Sequence, residues 1–524
     1  MSVSILFNNE QTILGLNQEQ RDTIKEALTF ENPAYKNAKR FGKSRYISIP
    51  PYLTYYSEKS YKGKDGVRHK ALTIPIGVNV MSICDDLDPT FLDERVEHKV
   101  EYPKFNLTLR DDQQKAEDFY LSQCGDKPYS PIYPKNLLQL PTGKGKSILA
   151  LHIAYKLRSK TLILVHKDDL VVGWKKDIEL CFGKDLEVGL IKAKSRKVGE
   201  QITIATVQTL SRMSEEELSK YTEQFGLVVQ DEAHHVGLNI FNIINKFSSP
   251  YKLGLSATPT RADGLDFVFD LFFGGLGFEY EYDPNDKDIL PVEVRVKKSN
   301  FRYKPFMWNN QIFNYYDFRP DELPKNLVFV ESMGKDRPTI PFLTIDNEVV
   351  TSREYKIMVC KDIIGEYRKG RSCIALFTQK EHINIYYKYL SRYISKDKIM
   401  LYYGDSKEKS EDMMKKAEDK EVLVTLATYA KATEGTNVKS WEVEFLVSSV
   451  KQEKNVEQAT GRIRRSKEGK INPVIVYDYN NAEVYSIRNH LTDRLKAYKR
   501  LNYKVIGDIS TSSERGMFSR GYKK

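Results

Sequence analysis

Residues 137–156 read LLQLPTGKGKSILALHIAYK, and the fold is decided in this stretch. A short apolar run ends at Leu140, a turn with two glycines follows, and a helix-periodic run begins at Lys146–Ser147. Strand, Gly-rich turn and helix in that order form a phosphate cradle, built from backbone N–H groups and the positive end of a helix dipole. Gly143 and Gly145 would let the backbone approach phosphate oxygens, with Pro141, Thr142 and Lys144 completing the loop. Lys146 would reach the β- and γ-phosphates of ATP, and the Ser147 hydroxyl would ligate Mg²⁺. The strict pattern G-x-x-x-x-G-K-[ST] asks for glycine at 140, where this chain has Leu140. A Gly-rich turn without a ligand is the competing reading.

Working outward, short apolar runs alternate with helical stretches: LLQL, SILALHIAYKL, TLILVH, ITIATV, GLVVQDE and YKLGLSAT. A second series follows Ser352: CIALF, IMLYY, EVLVTLAT, EFLVSS and PVIVYDY. Buried strands alternating with helices predict parallel sheets, so two α/β domains in tandem are expected, over 101–285 and 351–490. Residues 1–100 read as an accessory α+β domain, with a helix from Gln18 to Phe30, strand-like runs such as ALTIPIGVNV, and an acidic hinge at Asp85–Asp88. Residues 286–350 fit neither series; they hold Phe301, Tyr303, Phe306, Trp308, Phe313, Tyr315, Tyr316 and Phe318 and read as an aromatic insert. Residues 491–524 read as a basic tail.

The second chemical signal is VVQDEAHHVG at 228–237, 85 residues beyond Lys146. An apolar strand delivers Asp231 and Glu232 to its carboxyl end, where ligands of parallel sheets bind. Asp231 is placed to hold Mg²⁺, and Glu232 to orient and deprotonate an attacking water. His234, judged alone, is equally a structural hydrogen-bonder or a coupling residue.

With these motifs in place, the chain resembles superfamily 2 nucleic-acid helicases of the DEAH kind. Within them it resembles the group of XPB-like helicases, phage UvsW-type helicases and type III restriction motor subunits. The resemblance spans about residues 105–480, with the motifs in family order. It implies two tandem RecA-like parallel-sheet motor domains. LTLRDDQQKA (107–116) resembles the adenine-reading segment, with Gln113 and Arg110 at the nucleotide. TLILVHKDDLVVGWKKDI (161–178) and ATVQTL (205–210) resemble motifs lining the nucleic-acid track, implying track roles for His166, Trp174, Thr206 and Gln208. GLSATPTRADG (254–264) resembles motif III, in which Ser256, Ala257 and Thr258 link nucleotide state to strand contact, extended by Arg261 and Asp263. VLVTLATYAKATEGTNV (422–438) resembles motif V, implying Thr428 on the track, Glu434 in coupling and Gly435 at the nucleotide. QATGRIRR (458–465) resembles motif VI: Gln458 would contact the γ-phosphate or its water, and Arg462 and Arg465 would stabilise charge in the transition state. The family often has arginine after that glutamine, where this chain has Ala459; Arg464 has no counterpart and is expected to face solvent.

Composition narrows the partners. The 524 residues carry a net charge of +11, with 12 Lys/Arg against 5 Asp/Glu in 21–70 and 12 against 6 in 467–524. Basic, Tyr-rich ends suit a polyanion. Lys36, Lys39, Arg40, Lys43 and Arg45 at one end, and Arg494, Lys496, Lys499, Arg500 and Lys504 at the other, are the candidates to hold duplex arms. A solvated Lys-rich surface is the alternative. No run approaches a membrane span, and five scattered cysteines fit a reducing cytosol, so a cytoplasmic, nucleoid-associated protein is expected. The reading is an ATP-dependent DNA helicase or translocase on duplex or branched DNA, in recombination, repair or replication, with 3′-to-5′ movement implied by the resemblance. Alternatives are an RNA helicase, an ATP-gated binding or annealing protein, and the motor subunit of a separate nuclease.

Overall fold

In a computed structural model the chain divides into two compact units, Met1–Glu281 and Tyr282–Lys524. The structure describes residues 2–40, 49–62, 68–124, 134–141, 143–235, 243–257, 261, 264–281, 289–299, 301, 306–308, 311–313, 328–332, 335–339, 342–404, 407–432, 438–450, 453–481, 484, 487 and 490–509.

The main sheet of the first unit runs in the order Ser195–Lys197, Gly189–Lys192, Ile202–Thr206, Thr161–Val165, Leu227–Gln230, Tyr251–Ser256, Leu137–Gln139, Leu276–Glu279. Every neighbouring pair is parallel except the outermost, Gly189–Lys192 with Ser195–Lys197. The central strands are buried along their whole length, as continuous runs such as TLILV and LVVQ require when both faces are covered. On one face lie the helices Asp111–Cys124, Lys146–Leu157 and Asp168–Phe182, whose Tyr120, Leu149, Ile153, Trp174 and Ile178 join Ile163, Val229 and Leu253 in one core.

The opposite face is closed by the first hundred residues. Their sheet, in the order Ser57–Lys62, Arg68–Ile74, Gln11–Leu14, Ser4–Phe7, Thr90–Asp93, is antiparallel apart from its last pair. Ile5, Ile13, Leu72 and Ile74 from this sheet share a core with Leu162, Leu164, Val228 and Phe272. The Phe30 and Phe267 rings stack at 3.8 Å, and the Gly77 N–H donates to Leu271 O at 2.9 Å. A Cβ on Gly77 would sit 2.5 Å from Gly274 N, so only glycine permits this approach. The expected helix runs Gln18–Ala27, started by a capping box between Asn17 and Gln20, and stops short because Thr29–Glu31 pairs as a strand with Tyr52–Thr54. The stretch read as an acidic hinge is a turn anchored by buried Cys84 and Leu87. Residues 1–100 therefore cap the main sheet of the first unit. Part of their basic charge is internal: Arg21 is buried, donating to Leu16 O and Lys70 O, and Lys25 pairs with Glu58 at 2.7 Å. Phe41, Lys43, Arg45 and Tyr46 lie outside the described residues, as does the Arg40 side chain.

In the second unit the sheet order is Ile399–Tyr402, Val424–Thr428, Cys373–Phe377, Val443–Leu446, Val474–Asn480, Val292–Lys298, Lys504–Gly507, parallel throughout. Two expected boundaries are corrected. Val292–Lys298, expected in the insert, lies inside this sheet, and Phe342–Thr351 is a helix whose Ile345, Val349 and Val350 enter its core. The insert thus shrinks to the chain between them, leaving at the carboxyl end of Val292–Lys298. It contains the hairpins Phe306–Trp308/Gln311–Phe313 and Val328–Ser332/Lys335–Thr339. Its aromatic side chains beyond Phe301 lie outside the described residues.

The tail is corrected too. Helix His490–Arg500 and the edge strand Lys504–Gly507 complete the unit. Arg494 is no DNA-facing cation: it is buried, forked onto both oxygens of Asp478 at 2.8 Å, and donates to Val450 O. Tyr498 also donates to Asp478, and Arg500 pairs with Glu457 at 2.8 Å. Among the described residues no helix is long and apolar enough to cross a membrane.

Two stability predictions follow from these cores. Ile13→Ala should cost ~2–5 kcal/mol and lower the unfolding midpoint of the whole first unit, because its core is shared with the unit's main sheet. An intrinsic probe of the main sheet that keeps its parental urea midpoint would show the first hundred residues to be separable. Arg494→Ala should cost ~3–5 kcal/mol by stranding buried Asp478. Lys499→Ala, on the exposed side of the same helix, should stay within ~0.5 kcal/mol in the same denaturation assay.

Candidate active site

Three neighbouring strands bring the chemistry together. Leu137–Gln139 leads into the phosphate loop, Tyr251–Ser256 lies beside it, and Leu227–Gln230 leads into Asp231 and Glu232. In the loop, Gly143 and Gly145 hold φ of +94° and +67°, a left-handed backbone that glycine adopts without strain. A Cβ on Gly145 would also lie 2.5 Å from Gln113 Nε2. Helix Lys146–Leu157 starts at once, with Ser147 half-buried in its first turn.

Two residues expected at the nucleotide brace this loop. The buried Gln113 amide donates to Lys144 O and Gly145 O at 3.1 and 3.0 Å, while its oxygen accepts the Arg110 N–H at 2.9 Å. The Arg110 guanidinium donates to Gly143 O at 3.3 Å. Lys144 points elsewhere: its buried ammonium lies 3.0 Å from Asp112 Oδ2 and over the Tyr280 ring. Its side chain ties the loop to helix Asp111–Cys124, an interaction that spacing alone did not signal.

Lys146 Nζ donates to Leu140 O at 3.3 Å and sits 3.8 Å from Glu232 Oε1, so the cation expected at the phosphates and the carboxylate expected to activate water share one small space. Glu232 has φ of +46°, a left-handed conformation costing a side-chain-bearing residue ~1–3 kcal/mol and typical of functional positions. Asp231 is buried, and that burial, followed by the neighbouring Glu232 charge, pushes its carboxyl up to about 6. Its Oδ1 accepts the Glu232 N–H at 2.9 Å and its Oδ2 accepts Trp174 Nε1–H at 2.8 Å. His234 Nδ1 lies 2.7 Å from Ser256 Oγ and 3.6 Å from Glu232 Oε2, linking the DEAH strand to motif III. Leu140 N–H donates to Ser256 O, and Gln139 to Ala257 O, closing the triangle back to the phosphate loop.

The oxygen donors suit a hard dication. A buried carboxylate and a hydroxyl are what Mg²⁺ takes when phosphates supply the rest. Among the described residues no group of three or more His, Cys, Asp or Glu forms a self-sufficient metal cage.

On the expected track, Thr206 ends one strand, His166 directly follows the neighbouring strand Thr161–Val165, and Gln208 donates to His166 O. Thr206 Oγ1 is 2.7 Å from Thr209 Oγ1. Trp174 is a correction: it is 2% exposed and turned to Asp231, away from any surface a strand could touch. In the second unit Thr428 ends its strand, half-buried. Helix Glu453–Ile463 carries Arg462, which is buried, and Arg465 follows it, with its carbonyl held by Lys470 at 3.0 Å. Thr460 anchors that helix to Glu444 at 2.9 Å, whose carboxyl burial pushes up to about 8. Arg464, expected in solvent, is buried, donating to Leu290 O at 3.2 Å and lying over Tyr503. Arg261 is buried as well. Thr142, Thr258, Asp263, Glu434, Gly435 and the Gln458 side chain lie outside the described residues.

A protein-family profile described as "Type III restriction enzyme, res subunit" matches residues 106–261, from just before Arg110 through Arg261. A probable helicase of Escherichia phage T5 is 25% identical over 420 residues, 79% of this chain and 81% of its own. The DNA 3'-5' translocase XPB2 of Sulfurisphaera tokodaii is 26% identical over 403 residues, 72% of this chain and 83% of its own. A mimivirus protein of Acanthamoeba polyphaga, named as an ATP-dependent RNA helicase, is 23% identical over 444 residues, covering 83% and 76%. The chain is an ATP-hydrolysing enzyme similar to the superfamily 2 nucleic-acid helicases.

In this ATP hydrolase the structure brings together the glycine loop, the DEAH carboxylates and Ser256, which sequence reasoning had expected at one site. That reasoning missed the Asp112–Lys144 tie and the Trp174–Asp231 bond, because both join segments far apart in sequence. Lys146→Ala should weaken ATP binding about ten- to hundredfold by removing a charge-assisted phosphate contact, and abolish turnover with it. Glu232→Gln should keep ATP affinity and lower turnover by ~10²–10⁴-fold. Equilibrium binding of a fluorescent ATP analogue beside steady-state hydrolysis checks both; near-parental turnover by Glu232→Gln would remove that residue from water activation.

Proposed function

We propose that this superfamily 2 ATPase is a DNA helicase or translocase that moves 3′-to-5′ and remodels duplex or branched DNA, as at forks and junctions. The observation that carries the motor reading is the Glu232–His234–Ser256 chain, which ties the hydrolytic carboxylate to motif III through one buried histidine. Loss of the γ-phosphate would change what Glu232 and Lys146 contact, and His234 offers that change a route to Ser256. A motor needs only that each nucleotide state grips the strand differently. The DNA and direction parts are supported by the relative named as a DNA 3'-5' translocase and by the basic ends.

In this reading Lys146 binds the β- and γ-phosphates, Glu232 orients and deprotonates the attacking water, and Arg462 and Arg465 stabilise developing charge, with Gln458 at the γ-phosphate. Mg²⁺, held by Ser147 and Asp231, would neutralise charge on the phosphates when bound. Thr206, Gln208, His166 and Thr428 would bond phosphate oxygens of one strand without reading sequence. Exposed Lys39, and Lys36, which is exposed but paired with Glu31 at 2.9 Å, would hold a duplex arm, and Trp308 of the insert would be the residue to stack on a base.

The name of the mimivirus relative favours RNA as a second reading. Hydrolysis and strand separation measured on single-stranded, duplex, forked and four-way DNA, and on the RNA counterparts, decide between them. Forked or four-way DNA is expected to give the highest rates; stronger stimulation by RNA would replace the DNA reading, and hydrolysis without displacement would replace it with an ATP-gated binding protein. Ser256→Ala should lower strand displacement per ATP hydrolysed several-fold while largely sparing hydrolysis. Equal losses in both would place His234 and Ser256 in the chemistry instead of the coupling.

A further inference from the structure

We infer that Trp174 is a positioning residue for hydrolysis: its indole N–H holds the Asp231 carboxylate in the orientation that receives the metal ion. The inference rests on the reading of Asp231 as the metal-side carboxylate. Helix Asp168–Phe182 packs Trp174 into the core with Ile163, Ile178 and Val229, and Nε1–H donates to Asp231 Oδ2 at 2.8 Å. The other oxygen, Oδ1, accepts the Glu232 N–H at 2.9 Å. Each oxygen is therefore fixed by one donor and retains a lone pair, leaving the carboxylate a single orientation.

Packing alone does not ask for the nitrogen. A phenylalanine would fill much of the same space, whereas an indole only donates and so selects an acceptor as its buried partner. Here the acceptor is a desolvated carboxylate, where a donor is worth most. Partners that orient a ligating carboxylate typically contribute about 10–100-fold to metal affinity. The backbone N–H of Glu232 cannot supply this orientation alone, because one donor leaves the carboxylate free to rotate about it.

The test uses the full-length chain carrying Trp174→Phe, with binding of a fluorescent ADP analogue followed against Mg²⁺ and again in EDTA. The Mg²⁺ concentration for half-maximal tightening should rise about 10–100-fold, with binding in EDTA unchanged. Parental Mg²⁺ dependence overturns the inference. So does an equal loss of binding with and without the metal, the result of a merely structural ring. Asp231→Asn, run alongside, separates the two readings: unaltered Mg²⁺ dependence in that variant means Asp231 itself is not the metal-side carboxylate. If the Phe variant does not fold, the parent and the Asp231→Asn variant suffice, since the chain has only 3 Trp and thus three indole N–H resonances. One of them should move in Asp231→Asn, and the same one should move when Mg²⁺ joins bound ADP. No indole responding to both overturns the assignment.

Discussion

The site depends on one strand lying between two others. Tyr251–Ser256 pairs in parallel with the phosphate-loop strand on one side and with the DEAH strand on the other. Parallel strands present their carboxyl ends together, so three segments from 137 to 257 in the sequence deliver a cation, two carboxylates and a hydroxyl to one edge. The register does more than collect them. Leu140 N–H bonds Ser256 O, and His234 bonds the Ser256 hydroxyl, so the middle strand touches both partners through a single residue. A shift of either neighbour is felt at Ser256.

Several buried polar groups are held in pairs, and these pairs locate parts that must not drift. Asp112 holds Lys144 behind the phosphate loop, Trp174 holds Asp231, and Asp478 holds Arg494 beneath the second sheet. Breaking a buried pair strands a charge in a low dielectric, which costs more than the pair gains over apolar filling. Such contacts therefore act mainly as restraints on geometry. Glu232 shows the complementary device, a left-handed backbone tolerated where the surrounding sheet over-determines it.

The basic ends show how charge in a sequence misleads about surface. Arg21 and Arg494 were counted with the polyanion-facing cations, yet both are buried, one donating to carbonyls and one forked onto a carboxylate. Arg464, too, lies against a carbonyl and a tyrosine ring. Net charge constrains the partner class through the whole field of the protein, while individual arginines are equally good at satisfying buried acceptors.

Local pattern determined the strands and their order of function. Each of the apolar runs read from the sequence, from LLQL to PVIVYDY, contributes a strand to, or a helix packed on, one of the two mainly parallel sheets, because a strand buried on both faces must be apolar along its length. The phosphate loop was legible for the same kind of reason: two left-handed turns demand glycine, and a cation and hydroxyl must follow at fixed spacing. Tertiary structure alone decided the rest. Val292–Lys298, alternating buried and half-buried, carries no local mark of belonging to a sheet whose next strand in the chain begins at Cys373. That Trp174 turns inward to Asp231 depends on how helix Asp168–Phe182 lies on its sheet. That residues 1–100 complete the first unit depends on two apolar faces meeting, and a face records that it must be covered without recording by what.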